Sequence, residues 1–153
     1  MTLSEFRPLL LAKSLSRTTL PPDVDLKERI FAGLKLIAKE TLPLRLITTD
    51  PVGFTILRKL DSEWKTTVGL VTTTNAGMYV RMPSIPTSED TELDMDLALM
   101  DALAYYVMAG LERGNANTLM GMYHGEIDMN NDRLIETVLS DTTNDSCKFC
   151  QFP

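Results

Sequence analysis

Histidine occurs once, at His124, and cysteine twice, at Cys147 and Cys150, in a chain of 153 residues. So sparse a supply of ligand-bearing side chains excludes the clusters on which most metal and nucleophile chemistry depends. The two cysteines have CxxC spacing, used by redox loops and by half of a zinc site, but no second pair and no βα context accompany them. A redox pair needs its first thiol at a helix N-terminus, whereas this pair lies beyond the last predicted helix. It reads as incidental thiols, with a zinc site shared between chains as the residual alternative. No GxSxG, P-loop or GxGxxG occurs, so the common signatures of hydrolases and of nucleotide binding are missing. Lys and Arg nowhere form a run, and the formal charge of −6 opposes a surface that neutralises phosphates. No apolar run approaches the roughly 20 residues of a membrane span. The start, MTLSEFRPLLLAKSL, lacks a signal peptide's basic region and cleavage site, so the expected location is a cytoplasm, without membrane contact.

What remains is an ordinary globular composition, 44% apolar, enough for one domain with one core. Thr2 and Glu5 have capping-box spacing for a first helix over about 2–15, with Pro8 expected only near its first turn. Asp23 can cap a second helix over 23–41, with Leu26, Ile30, Leu34, Ile37 and Ala38 on its apolar face and Lys27, Glu28, Lys35 and Lys39 turned away. Pro43 ends it. Between 44 and 82 the chain turns to Thr, Val, Ile and aromatic residues broken by Asp50-Pro51, Gly53, Gly69 and Gly77, predicting three or four short antiparallel, hairpin-connected strands.

A third helix is predicted over 90–113, where Leu93, Leu97, Met100, Leu103, Val107 and Leu111 recur at three or four. Ser88 and Thr91 offer N-caps, and Arg113 with Gly114 offers a C-terminal close. Ala102, Ala104, Tyr105, Tyr106, Met108 and Ala109 extend its apolarity around most of the circumference, so it must be buried all round. Either it is the central helix of the subunit or neighbouring subunits help to cover it. A fourth helix runs over 117–139, weakened by Gly121 and Gly125, and residues 141–153 read as a flexible tail. The fold class expected is α+β, mainly helical: a small bundle around a long central helix, with an inserted antiparallel sheet region, in one domain over 1–140.

Three features invite chemistry. Asp128, Asn130 and Asp132 match the first ligands of a calcium loop, but Arg133 and Leu139 stand where Gly and Glu are required. Glu89, Asp90, Glu92, Asp94, Asp96 and Asp101 could be an acid cluster, yet no basic partner separates their roles, and the dipole of a helix N-terminus accounts for them. His124 has no nucleophile motif near it and reads as a helix-surface or interface residue. Met95, Met100, Met108, Met120 and Met122 read as adaptable core filling. No catalytic, metal or cofactor residue emerges.

The order of elements nevertheless resembles the head-to-tail adaptor (connector) proteins of tailed bacteriophages. Their loosely recurring phrase of R-x-P, acidic residues, L-D-x-D and A-x-x-Y-Y-x-x-A is matched by Arg81, Pro83, Leu93, Asp94, Asp96, Ala102, Tyr105, Tyr106 and Ala109. The likeness covers Asp23 to Leu139 and is a packing pattern. It implies a virion structural protein without enzymatic activity or cofactor, assembled in the host cytoplasm. The homo-oligomeric ring, commonly of twelve copies, would sit between portal protein and tail or nozzle proteins, with DNA passing through its bore unbound. Arms reaching neighbours would come from Gly53 to Thr72 and from the tail. The competing reading is a non-enzymatic cytosolic adaptor or regulatory protein-binding domain.

Overall fold

Thr2 and Glu5 close the N-terminus of the first helix, α1 (Leu3–Lys13), as a complete capping box. The Thr2 hydroxyl accepts from the Glu5 N–H at 3.2 Å, and the Glu5 carboxylate accepts from the Thr2 N–H at 2.8 Å. The next orphan donors reach across the fold: Leu3 and Ser4 N–H donate to the carbonyls of Thr91 and Glu89, both at 3.0 Å. Pro8 sits within the helix rather than in its first turn. The carbonyl it deprives belongs to Ser4, which is exposed, so water can replace the missing bond.

The computed structural model describes residues 1–49, 56–59 and 79–149, with side chains over 1–49, 57 and 79–132. Helix α2 (Asp23–Glu40) buries Leu26, Ile30, Leu34, Ile37 and Ala38, as its spacing predicts. Asp23 is its first residue and not its cap. Pro22 holds the cap position, and the Asp23 carboxylate instead meets Arg7 of α1. The chain leaves α2 through Thr41 and a 3-10 turn, Leu44–Leu46, into β1 (Ile47–Thr48). Strands β2 (Ile56–Lys59) and β3 (Tyr79–Arg81) complete an antiparallel sheet in the order β1-β3-β2. Ile47 pairs with Val80 and Lys59 with Tyr79, with a bulge between Ile56 and Arg58. Val80 inserts into the common core. Most of the candidate arm from Gly53 to Thr72 lies outside the described residues.

The third helix is shorter than its periodicity suggests. Helix α3 (Met100–Leu111) begins only after a 3-10 turn, Leu97–Leu99, and residues 89–96 are turn and extended chain. Side-chain competition explains the loss. Ser88 and Thr91 spend their hydroxyls on one another in a local turn, while Asp94 and Asp96 bind groups outside the segment. The acidic run is therefore no helix first turn, and the dipole does not account for it. At the far end α3 stops at Leu111; Arg113–Asn115 form a 3-10 turn, with Gly114 outside the left-handed region.

Helix α4 (Ala116–Phe149) follows directly. Its backbone carries on through 141–149, where a tail was expected, and Cys147 lies within it while Cys150 is outside the described residues. Packing centres on α3, which touches α1, α2 and α4. Leu3, Phe6 and Leu10 of α1, Ile30 and Leu34 of α2, Leu103 and Val107 of α3, and Leu119 and Tyr123 of α4 share one core. Gly33 allows the closest approach: a Cβ there would lie 2.7 Å from Leu103 and 2.8 Å from Tyr106. Of the two positions left open for the apolar helix, α3 takes the centre of the subunit. The chain is α+β and mainly helical, as its patterning implies.

Candidate interaction site

Asp94 is 6% exposed and accepts from both terminal nitrogens of Arg81, from Arg45 Nε at 3.2 Å and from the Ser84 N–H at 2.8 Å. Burial pushes its carboxyl up, but these donors outweigh burial and hold it below the ordinary range. Asp96 caps the Leu44–Leu46 turn, its two oxygens accepting from the N–H groups of Leu44 at 2.7 Å and Arg45 at 2.9 Å. The two aspartates thereby fasten the sheet region to the stretch that leads into α3. Glu89 completes the pattern as a fork onto Arg7, which also bridges to Asp23. Every acidic side chain engaged here has an arginine or backbone partner, so the segment is a structural junction rather than an acid-base pair.

A second buried carboxylate went unnoticed in the sequence. Glu112, directly after α3, is 4% exposed and accepts from the Ser14 and Ser16 hydroxyls and from the N–H groups of Leu15, Ser16 and Arg17. Burial works against its charge, yet those five donors draw its pKa down to about 2. Its partners lie 95 to 98 residues earlier, so no local pattern could have marked it.

His124 is exposed and packs edge-on against Tyr123, with centroids 5.2 Å apart, as a surface position should. Tyr123 is buried and donates to Glu40 Oε2 at 2.6 Å; burial first and then that carboxylate push its hydroxyl pKa upward. Asp128, Asn130 and Asp132 fall within little more than one turn of α4 and form no loop. Among the described residues no group of three or more His, Cys, Asp or Glu could hold a cation. Met95, Met100 and Met108 fill the core, but Met122 is 41% exposed and fills nothing.

Two surface features stand apart. A cleft of about 460 Å³ opens between the start of α2, the end of α3 and the start of α4. Ala32, Val107, Ala109 and Met120 give it an apolar floor, and Asp25, Glu28 and Arg29 form its rim. At the other end of α3, Leu97, 69% exposed, and Leu44, 58% exposed, line a second depression of about 470 Å³ with Arg45, Glu92 and Asp96. The lining of neither feature includes a Ser, Thr, Cys or His. No family model, curated protein or solved structure matches the chain.

Proposed function

We propose that the chain is a structural subunit of a phage head-to-tail adaptor ring, without enzymatic activity, standing between portal and tail proteins. One observation carries this reading: Arg81, Asp94 and Asp96, three charged members of the adaptor phrase, meet at one junction. Arg81 from β3 meets Asp94, Asp96 caps the turn before β1, and Leu93, next to Asp94, is buried, while Ala102 and Ala109 of the phrase are buried along α3. In this arrangement the phrase is the hinge pin that fixes a strand-bearing insertion onto a central helix. A subunit so built holds the insertion at a fixed angle to its bundle, as a ring needs if each copy is to present the same surfaces to its neighbours.

Surface chemistry supports the same reading. The net charge of −6 suits a bore through which DNA slides without adhering. Exposed Leu44, Leu97 and Met122 supply apolar contact area away from any catalytic constellation.

The test is to fractionate particles from a source culture on a density gradient and quantify this chain against the major capsid protein by mass spectrometry. Co-migration with DNA-filled particles at a few copies per hundred capsid subunits is the expected result. Absence from those particles would sink the reading and return the chain to the class of cytosolic protein-binding domains.

A further inference from the structure

The two depressions differ in the state of their charged groups. Beside Leu97, Arg45 bonds to Glu92 and Asp94, Glu92 also meets the N-terminal ammonium, and Asp96 caps a turn. In the cleft between α2, α3 and α4, by contrast, Asp25, Glu28, Arg29 and the Tyr106 hydroxyl make no hydrogen bond or ion pair among the described residues. Asp25 and Arg29 even stand four apart on α2, a spacing at which opposite charges ordinarily pair. We propose that this cleft binds a zwitterionic α-amino acid with a large apolar side chain, its carboxylate on Arg29 and Tyr106 and its ammonium on Asp25 and Glu28. The site goes beyond the ring reading and is independent of it.

The backbone explains where the two donors lie. Helices α2 and α3 each offer the other a glycine. Arg29 lies over Gly110, where a Cβ would come within 2.8 Å of its Nη1, and the Tyr106 ring lies over Gly33, where a Cβ would come equally close at 2.8 Å. Arg29 and Gly33 are one turn apart on α2, as are Tyr106 and Gly110 on α3. The guanidinium and the tyrosine therefore occupy neighbouring rungs of a single helix crossing. Gly110 draws Arg29 across α3 and away from Asp25, which leaves both charges free for something else.

The chemistry of the four groups is complementary to a zwitterion. A guanidinium presents a planar fork of N–H donors to a carboxylate, and a phenol adds one more. Asp25 and Glu28 are acceptors only, as an ammonium with three donors requires. A plain carboxylic acid would meet those two acids, and a plain amine would meet Arg29, so a ligand carrying both charges fits best. Ala32, Val107, Ala109 and Met120 leave an apolar floor for the side chain. The volume of about 460 Å³ falls within the range of small-molecule sites. Thioethers such as that of Met120 make favourable contacts with aromatic rings, which makes phenylalanine the natural probe.

Isothermal titration of the full chain with L-phenylalanine tests the site. Hydrocinnamate, which lacks the ammonium, and phenethylamine, which lacks the carboxylate, serve as controls. L-phenylalanine should bind with a dissociation constant of about 1 mM or tighter, and each control about tenfold more weakly. Arg29→Gln and Tyr106→Phe should each weaken L-phenylalanine about fivefold or more without weakening phenethylamine. Asp25→Asn should do the converse, weakening L-phenylalanine without weakening hydrocinnamate. A merely structural role for these side chains would move all three ligands together, and circular dichroism checks that each variant keeps the fold. No binding of L-phenylalanine up to about 10 mM, controls that bind as well as it does, or variants that bind it like wild type would each overturn the proposal.

Discussion

Exchanging Glu112 for Gln perturbs one oxygen and tests how the end of α3 is joined to the loop after α1. Oε1 accepts from Ser14 Oγ at 2.9 Å, from Ser16 N and Oγ at 2.6 Å and from Arg17 N at 3.0 Å, while Oε2 accepts from Leu15 N at 3.1 Å. Gln keeps the size, but its amide N–H groups must face at least one of these donors. A carboxylate held at about 2 in place of 4.5 represents ~3 kcal/mol as a ceiling. Solvent near the loop screens part of that, which leaves ~2 kcal/mol. For a chain of this length the thermal midpoint should fall by about 4–8 °C at neutral pH. The pH dependence has a defined sign. Because the folded-state pKa is depressed, the stabilisation is complete above the unfolded value of 4.5 and is lost as pH falls toward about 2. Wild type and Glu112→Gln should therefore converge in acid, since a protonated Glu112 presents the same misplaced donor as the amide. Urea unfolding followed by circular dichroism, at neutral pH and in steps down to about pH 2.5, measures both effects. Coincident midpoints at neutral pH, or a gap that persists unchanged in acid, would refute the reasoning.

Further substitutions probe other parts of the fold. Gly33→Ala should cost ~1–3 kcal/mol in urea unfolding, because its Cβ would strike Leu103 and Tyr106 on the central helix. Gly121→Ala should instead stabilise by ~0.5–1 kcal/mol, since its site on α4 is exposed and a Cβ there meets nothing within 4 Å; a loss of stability would show a hidden contact. Arg81→Met should cost ~3 kcal/mol by leaving Asp94 buried with its main partner gone, and adding Asp94→Leu should restore part of the loss in a double-mutant cycle. Should the single and double variants unfold alike, Arg81 would be an ornament rather than the fastening of β3.

Much of the helical frame was legible because apolar spacing reports directly on burial. Leu26, Ile30, Leu34 and Ile37 read as one face and are one face, and the Thr2–Glu5 box was visible as a local pattern. Leu93 and Leu97 continued the period of α3 by coincidence. Leu93 is buried outside any helix and Leu97 points outward. What decided their conformation was the demand of Asp94 and Asp96 for Arg81, Ser84, Leu44 and Arg45, and those partners are set by tertiary structure. The acidic residues looked like helix electrostatics for the same reason: a sequence displays charges without their partners. Glu112 and the cleft rim at Arg29 were invisible to any local reading, since the first needs a loop nearly a hundred residues away and the second needs three helices side by side.

The attachments of α1 bear on the order in which the molecule forms. Its first residues bind Glu89 and Thr91, and the loop after its last turn binds Glu112. During synthesis this helix leaves the ribosome well before any of those partners, with Phe6 and Leu10 uncovered. It cannot dock until the chain has been extended through the end of α3, so the segment made earlier than its anchors must wait for them. Closure entropy over so long an interval makes that docking a late and comparatively slow step of folding. A nascent chain halted before residue 112 would leave α1 open to a chaperone, and release past that point would bury it.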